Sequence, residues 1–82
     1  MKIEHSPLIN DFITFYMETR VDGQLRYQTW LYYWPDKKYQ IEDMRTGTRS
    51  EFCCFEDEST AVSEIKARVE SLIYGSQDHP GR

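Results

Sequence analysis

The side chains in this chain that could carry chemistry are few and scattered. Cys53 and Cys54 are adjacent, and His5 and His79 sit near opposite ends. Neighbours on a strand point to opposite faces, so an ordinary disulfide between the two cysteines is geometrically poor. No C-x-x-C occurs, and the histidines are too far from the cysteines in sequence to suggest a convergent zinc ligand set. The histidines read as solvent-exposed, Cys54 as a small core residue and Cys53 as partly exposed. A nucleophilic thiol needs a base or a helix N-terminus beside it, and the acids Glu56, Asp57 and Glu58 that follow would raise a thiol pKa. Gly23 and Gly47 are isolated turn glycines, not a phosphate-binding loop. The expectation is no catalytic set, no metal site and no cofactor, hence no enzyme.

One carboxylate pair, Glu42 and Glu51, does come together once the strands are placed. Phe12–Val21 is followed by Asp22-Gly23 and then by Leu25–Trp34. Asp-Gly between β-rich runs marks a two-residue hairpin, because a type I′ turn needs positive φ at both central positions. Pro35-Asp36-Lys37-Lys38 makes a second turn, Tyr39–Met44 a third strand, Arg45-Thr46-Gly47-Thr48 a third turn, and Arg49–Phe55 a fourth strand. Taking these turns as tight fixes the register. Phe15 then lies opposite Trp30, Tyr32 opposite Ile41, Ile41 opposite Phe52, and Glu42 opposite Glu51. One face collects Ile13, Phe15, Met17, Trp30, Tyr32, Trp34, Tyr39, Ile41, Phe52 and Cys54.

After Phe55 the period changes. Glu56-Asp57-Glu58-Ser59-Thr60 supplies caps and negative charge for a helix start. Val62, Ile65, Val69, Leu72 and Ile73, with Ala61 beside them, form an apolar stripe at helical spacing, and Gly75 reads as the C′ residue. The expected fold is α+β: a four-stranded antiparallel β-meander with one C-terminal amphipathic α-helix packed on one face. Residues 12–75 form that domain. Residues 1–11 are an N-terminal segment whose Ile3, Leu8 and Ile9 could cover a sheet edge, with Pro7 arguing against a central strand. Residues 76–82 read as a flexible tail.

Composition agrees. The chain has 82 residues, 39% hydrophobic and 15% aromatic, which is too short for two cores and too aromatic for a disordered segment. No apolar run approaches the length of a membrane span. The opening MKIEHSPLIN has neither an apolar h-region nor a small-residue cleavage site, so no signal peptide is expected. With free thiols this suggests a reducing cytoplasm. The net charge is −4, and the acids concentrate after residue 55. A general nucleic-acid binder needs a basic face, and no segment here has one.

The helix-free face is the more informative feature. In the expected register it bears Phe12, Tyr16, Tyr27, Leu31, Tyr33 and Phe55, with the acids Glu42 and Glu51. Contiguous aromatic patches usually mark an interface, and Tyr is a frequent hot-spot residue. The expected site for a partner protein is therefore Phe12, Tyr16, Tyr27, Leu31, Tyr33, Glu42 and Glu51. The acid pair would await a basic surface, and Tyr16, Tyr27 and Tyr33 should tolerate Ser without loss of fold. A homodimer through a β-edge or this face is a second option. The alternative is single-stranded nucleic-acid binding, with bases stacked on the sheet and Arg or Lys at its fringes; Glu42 and Glu51 oppose it.

The order of hairpins, then Phe55, acid and hydroxyl residues and an amphipathic helix through Leu72, resembles in shape a plan shared by many small phage and plasmid proteins. Some anti-CRISPR inhibitors, integrase-arm domains and double-stranded-RNA domains are among them. The nucleic-acid-binding members of that group use basic residues where this chain has an acidic helix half. The resemblance therefore implies an inhibitor-like or adaptor-like role.

Overall fold

The computed structural model describes residues 1–11, 14–33, 36–53 and 55–77. Phe12, Ile13, Trp34, Cys54 and His79 lie outside the described residues, as do the expectations that rest on them. The architecture is α+β: an antiparallel sheet of six strands, not four, and one C-terminal helix. The strands are β1 (Ile3–His5), β2 (Ile9–Asp11), β3 (Thr14–Val21), β4 (Gln24–Tyr32), β5 (Lys38–Asp43) and β6 (Arg49–Cys53), followed by α1 (Glu58–Gln77). The meander β3-β4-β5-β6 follows the expected chain order.

The two extra strands come from the N-terminal segment. Both β1 and β2 pair with the outer edge of β3, with Ile3 opposite Val21 and Ile9 opposite Tyr16. Between them the ladder breaks at Ser6-Pro7-Leu8, where proline has no N–H to donate. Ser6 bridges the gap: its N–H donates to the Glu18 carbonyl and its Oγ accepts from the Glu18 N–H, both at 2.8 Å. Pro7 thus sits at an edge, where it costs no ladder bond.

The first hairpin turns as its residues require. Asp22 and Gly23 have φ of 52° and 83°, the left-handed values of a type I′ turn. Val21 lies opposite Gln24 and Arg20 opposite Leu25, but Thr19 lies opposite Tyr27. Arg26 is the extra residue of a β-bulge, which inverts the facing of all of β4 beyond it. Tyr27, Thr29 and Leu31 therefore lie beneath the helix, and Gln28, Trp30 and Tyr32 lie on the opposite face. This corrects the expected placement of Trp30 and Tyr32 in the core.

The connection after β4 is also wider than expected. Tyr39 lies opposite Leu31 rather than Trp34, an odd displacement that inverts the facing a second time. The two inversions cancel on β5, so Tyr39 and Ile41 are buried as expected. The last hairpin slips by two: Ile41 lies opposite Ser50, and Tyr39 opposite Phe52. An even slip keeps the faces, so Phe52 stays on the helix side.

Helix α1 begins where the acids and hydroxyls predict. Asp57 accepts a bond from the Thr60 N–H at 2.8 Å, and these amide bonds hold its carboxyl below the usual range. Its buried residues are Ala61, Ile65, Val69 and Ile73, with Val62 packed beside them. Leu72 is on the flank and 47% exposed, contrary to its place in the expected stripe. Gly75 is not a C′ residue either, because the helix runs through it to Gln77.

Polar contacts spaced along α1 tie it to successive strands. Tyr33, just past β4, donates to Glu58 at 3.0 Å. Tyr39 donates to Glu64 at 3.1 Å and accepts from Arg68 Nε at 2.7 Å. His5 Nε2 lies 2.8 Å from Glu70, and its Nδ1 lies 2.9 Å from Thr19 Oγ1. His5 is thus largely buried, not solvent-exposed, and clamps the N-terminal edge strand to the helix.

Candidate functional site: the helix-free face of the sheet

The register lays the open face out in cross-strand rows. The central row runs Ile9, Tyr16, Trp30, Gln40, Glu51 across β2, β3, β4, β5 and β6. On one side lies the row Asp11, Thr14, Tyr32, Lys38, and on the other Glu18, Gln28, Glu42, Arg49. Side chains directly opposite on one face are close enough to pack, so each row acts as a continuous strip.

The aromatic centre is held in place by its neighbours. The Tyr16 and Trp30 rings lie 5.7 Å apart and tilted by 53°, and the Arg49 guanidinium sits 4.4 Å over the Trp30 ring. Arg49 also donates to Glu42 at 2.8 Å and to Gln40 at 3.3 Å. Gln40 in turn donates to Glu51 at 2.9 Å. The Tyr16 hydroxyl donates to Glu18 at 2.9 Å and accepts from Gln28, and Arg20 reaches Glu18 at 3.0 Å. Lys38 lies 3.7 Å from Glu51 and 5.9 Å over the Tyr32 ring. These side chains are pre-ordered, which lowers the entropy lost when a partner docks.

The expected site residues divide. Tyr16, Glu42 and Glu51 are on this face. Tyr27 is 3% exposed and Leu31 is 0% exposed, both beneath the helix. Tyr33 faces the helix side too, its ring between Phe15 at 5.2 Å and Phe55 at 5.4 Å; Phe55 is itself buried. Phe12 lies outside the described residues. Glu42 and Glu51 do not oppose each other: Glu42 faces Arg49, and Glu51 faces Gln40. Each acid already has a partner, so the like-charge pair expected to await a cation does not form.

Sequence reasoning missed Trp30, Tyr32, Arg49 and Ile9. A signal for the first two was present. Arg26 and Gln28 share strand parity with Trp30 and Tyr32, and burying an arginine and a glutamine under a helix costs more than exposing two amphipathic rings.

Burial pushes up four phenols, those of Tyr16, Tyr27, Tyr33 and Tyr39. Tyr16 is pushed up to about 12 by burial and by the Glu18 carboxylate. Tyr33 is likewise pushed up to about 12 by burial and by Glu58. A folded-state pKa above the ordinary 10.0 favours the neutral, folded form below that pH. The unfolded chain gains by ionising as pH rises through it, so stability should fall between about 10 and 12. Denaturant midpoints measured across this window should show the fall, and Tyr16→Phe and Tyr33→Phe should each make it shallower, leaving the part that Tyr27 and Tyr39 contribute. A flat profile in the parent protein would contradict these upward shifts.

Among the described residues, no group of His, Cys, Asp and Glu is placed to hold a metal ion. No helix among them is long and apolar enough to cross a membrane. No family model, no curated protein and no solved structure matches the chain.

Proposed function

We propose that this chain is a small protein-binding module of inhibitor or adaptor type, acting by occupying a partner's surface with its helix-free sheet face. The observation that carries the reading is the Tyr16–Trp30–Tyr32 aromatic centre, ordered by Arg49, Glu18 and Gln28 and rimmed by charge. An aromatic centre with a polar rim is the anatomy of a protein interface, and Trp, Tyr and Arg are the commonest hot-spot residues. Acids at open-face strand positions (Glu4, Asp11, Glu18, Glu42, Glu51) outnumber bases (Arg20, Lys38, Arg49), which favours a partner with a basic patch.

The same aromatics with Arg49 could stack on single-stranded nucleic acid. The interspersed carboxylates oppose it, because phosphate binding needs net positive charge. An anisotropy titration at low salt separates the two readings.

The test is differential capture. Protein carrying Trp30→Thr and Tyr32→Thr should melt close to the parent yet lose the partner that parent protein retains from host lysate. Lys66→Ala, on the exposed side of α1, should retain it. Equal recovery by all three proteins would refute the assignment of this face.

A further inference from the structure

The two edges of the sheet are built differently. On one, Pro7 and the register break between β1 and β2 interrupt the outer row of backbone groups, a common protection against edge pairing. The other edge is β6. It contains no proline or glycine and runs against β5 without a register break, and among the described residues no strand pairs with its outer side. The Asp43 N–H donates to the Thr48 carbonyl at 2.9 Å, which makes that pair a hydrogen-bonded one. Hydrogen-bonded and non-bonded pairs alternate. Ser50 and Phe52 therefore bond inward to β5, and Arg49 and Glu51 turn their N–H and C=O groups outward.

We propose that β6 pairs antiparallel with β6 of a second copy of this chain, with Ser50 facing Ser50 across the two-fold axis. In that register Arg49 of each copy faces Glu51 of the other, so every outward backbone group of these residues meets its complement and both cross-pairs join opposite charges. The next register that keeps both faces aligned places Glu51 on Glu51, a like-charge contact. Arg49 already binds Glu42, but its guanidinium has donors enough for a second carboxylate.

The helix side of this edge fits the same occupant. Between β6 and α1 lies a groove of about 340 Å³, lined by Phe52, Ala67, Ser71 and Leu72 among others. Pairing about the axis sets the two grooves side by side. The half-exposed Leu72 of one copy then covers the groove of the other, and the small Ala67 and Ser71 let the helices approach. Arg49 and Glu51 belong to the open face as well, but the ring of Tyr32, which Lys38 rather than Arg49 covers, takes part only in the first proposal.

The test is molar mass by light scattering and sedimentation over a range of concentrations of the full chain. Parent protein should approach twice 9.9 kDa. Arg49→Glu and Glu51→Arg should each weaken the dimer about tenfold or more, through two like-charge contacts apiece. Mixing these two variants should restore dimer, since each then faces the opposite sign. Tyr32→Thr, which leaves Arg49 and Glu51 in place, should leave the dimer intact. Circular dichroism confirms that each variant is folded. A monomeric parent at every concentration, single variants that dimerise like the parent, a mixture that stays monomeric, or loss of dimer in Tyr32→Thr would each overturn the proposal.

Discussion

Leu31→Ala should lower folding stability by about 2–5 kcal/mol, while Tyr32→Thr, one residue further on, should cost under about 1 kcal/mol. Leu31 is 0% exposed, between Phe15 and Tyr39 on its neighbouring strands, and belongs to the core beneath the helix. Removing its branched end leaves a cavity that a rigid sheet cannot close. Tyr32 is on the opposite face with Lys38 over its ring, and threonine keeps the β-branched shape a strand favours. In a domain of this size each kcal/mol moves the melting temperature by roughly 4–8 °C, so the two variants are easily resolved. The pair tests the bulge directly. Without it Tyr32 would be the core residue and Leu31 the exposed one, and the order of the two effects would reverse. The same inversion predicts that Tyr27→Ser unfolds much of the protein, whereas Tyr16→Ser, on the open face, does not.

The parts of the fold legible in the sequence are those set by short-range chemistry. Asp22-Gly23 specifies a type I′ turn from backbone sterics alone, and Asp57 caps a helix three residues ahead of Thr60. Strand parity carried less far, because it depends on counting through every turn. The bulge at Arg26 has no glycine to announce it, and the connection after Tyr32 absorbs residues that a tight turn would have paired. These two displacements are odd, and each inverts the strand that follows. Phe15 and Met17 precede both and keep their expected face, and the cancellation returns Tyr39 and Ile41 to theirs while β4 alone is inside out. The even slip in the last hairpin did no harm to the core, yet it separated Glu42 from Glu51 and so removed part of the expected site. Contacts between distant segments left no trace in local pattern. Ile3–His5 is too short to read as a strand, and the bond from His5 to Glu70 joins residues 65 apart.

Tyr39 is where packing and hydrogen bonding can be separated by experiment. Among the described residues it is the largest fully buried side chain, at 0% exposure. Its ring stacks on Phe52 at 5.3 Å and 29°. Its hydroxyl accepts from Arg68 and donates to Glu64, and Arg68 also covers the Phe52 ring at 4.1 Å. Tyr39→Ala removes all of this and should cost about 3–5 kcal/mol, as deletion of a buried aromatic ring does. Against a total of about 4–12 kcal/mol for a domain this long, that is enough to leave the variant partly unfolded at ambient temperature. Tyr39→Phe keeps the ring and deletes only the hydroxyl; its partners Arg68 and Glu64 reach solvent, so its cost should be about 0.5–1.5 kcal/mol, the net worth of a typical hydrogen bond. Arg68→Met distinguishes the two contributions further: it retains an aliphatic cover over Phe52 but withdraws the guanidinium. If the hydroxyl acts chiefly through Arg68, the double variant Tyr39→Phe/Arg68→Met should be no less stable than the worse of the two single variants. Additive losses would mean instead that Tyr39 and Arg68 stabilise the sheet–helix contact independently, and that the bond between them contributes little.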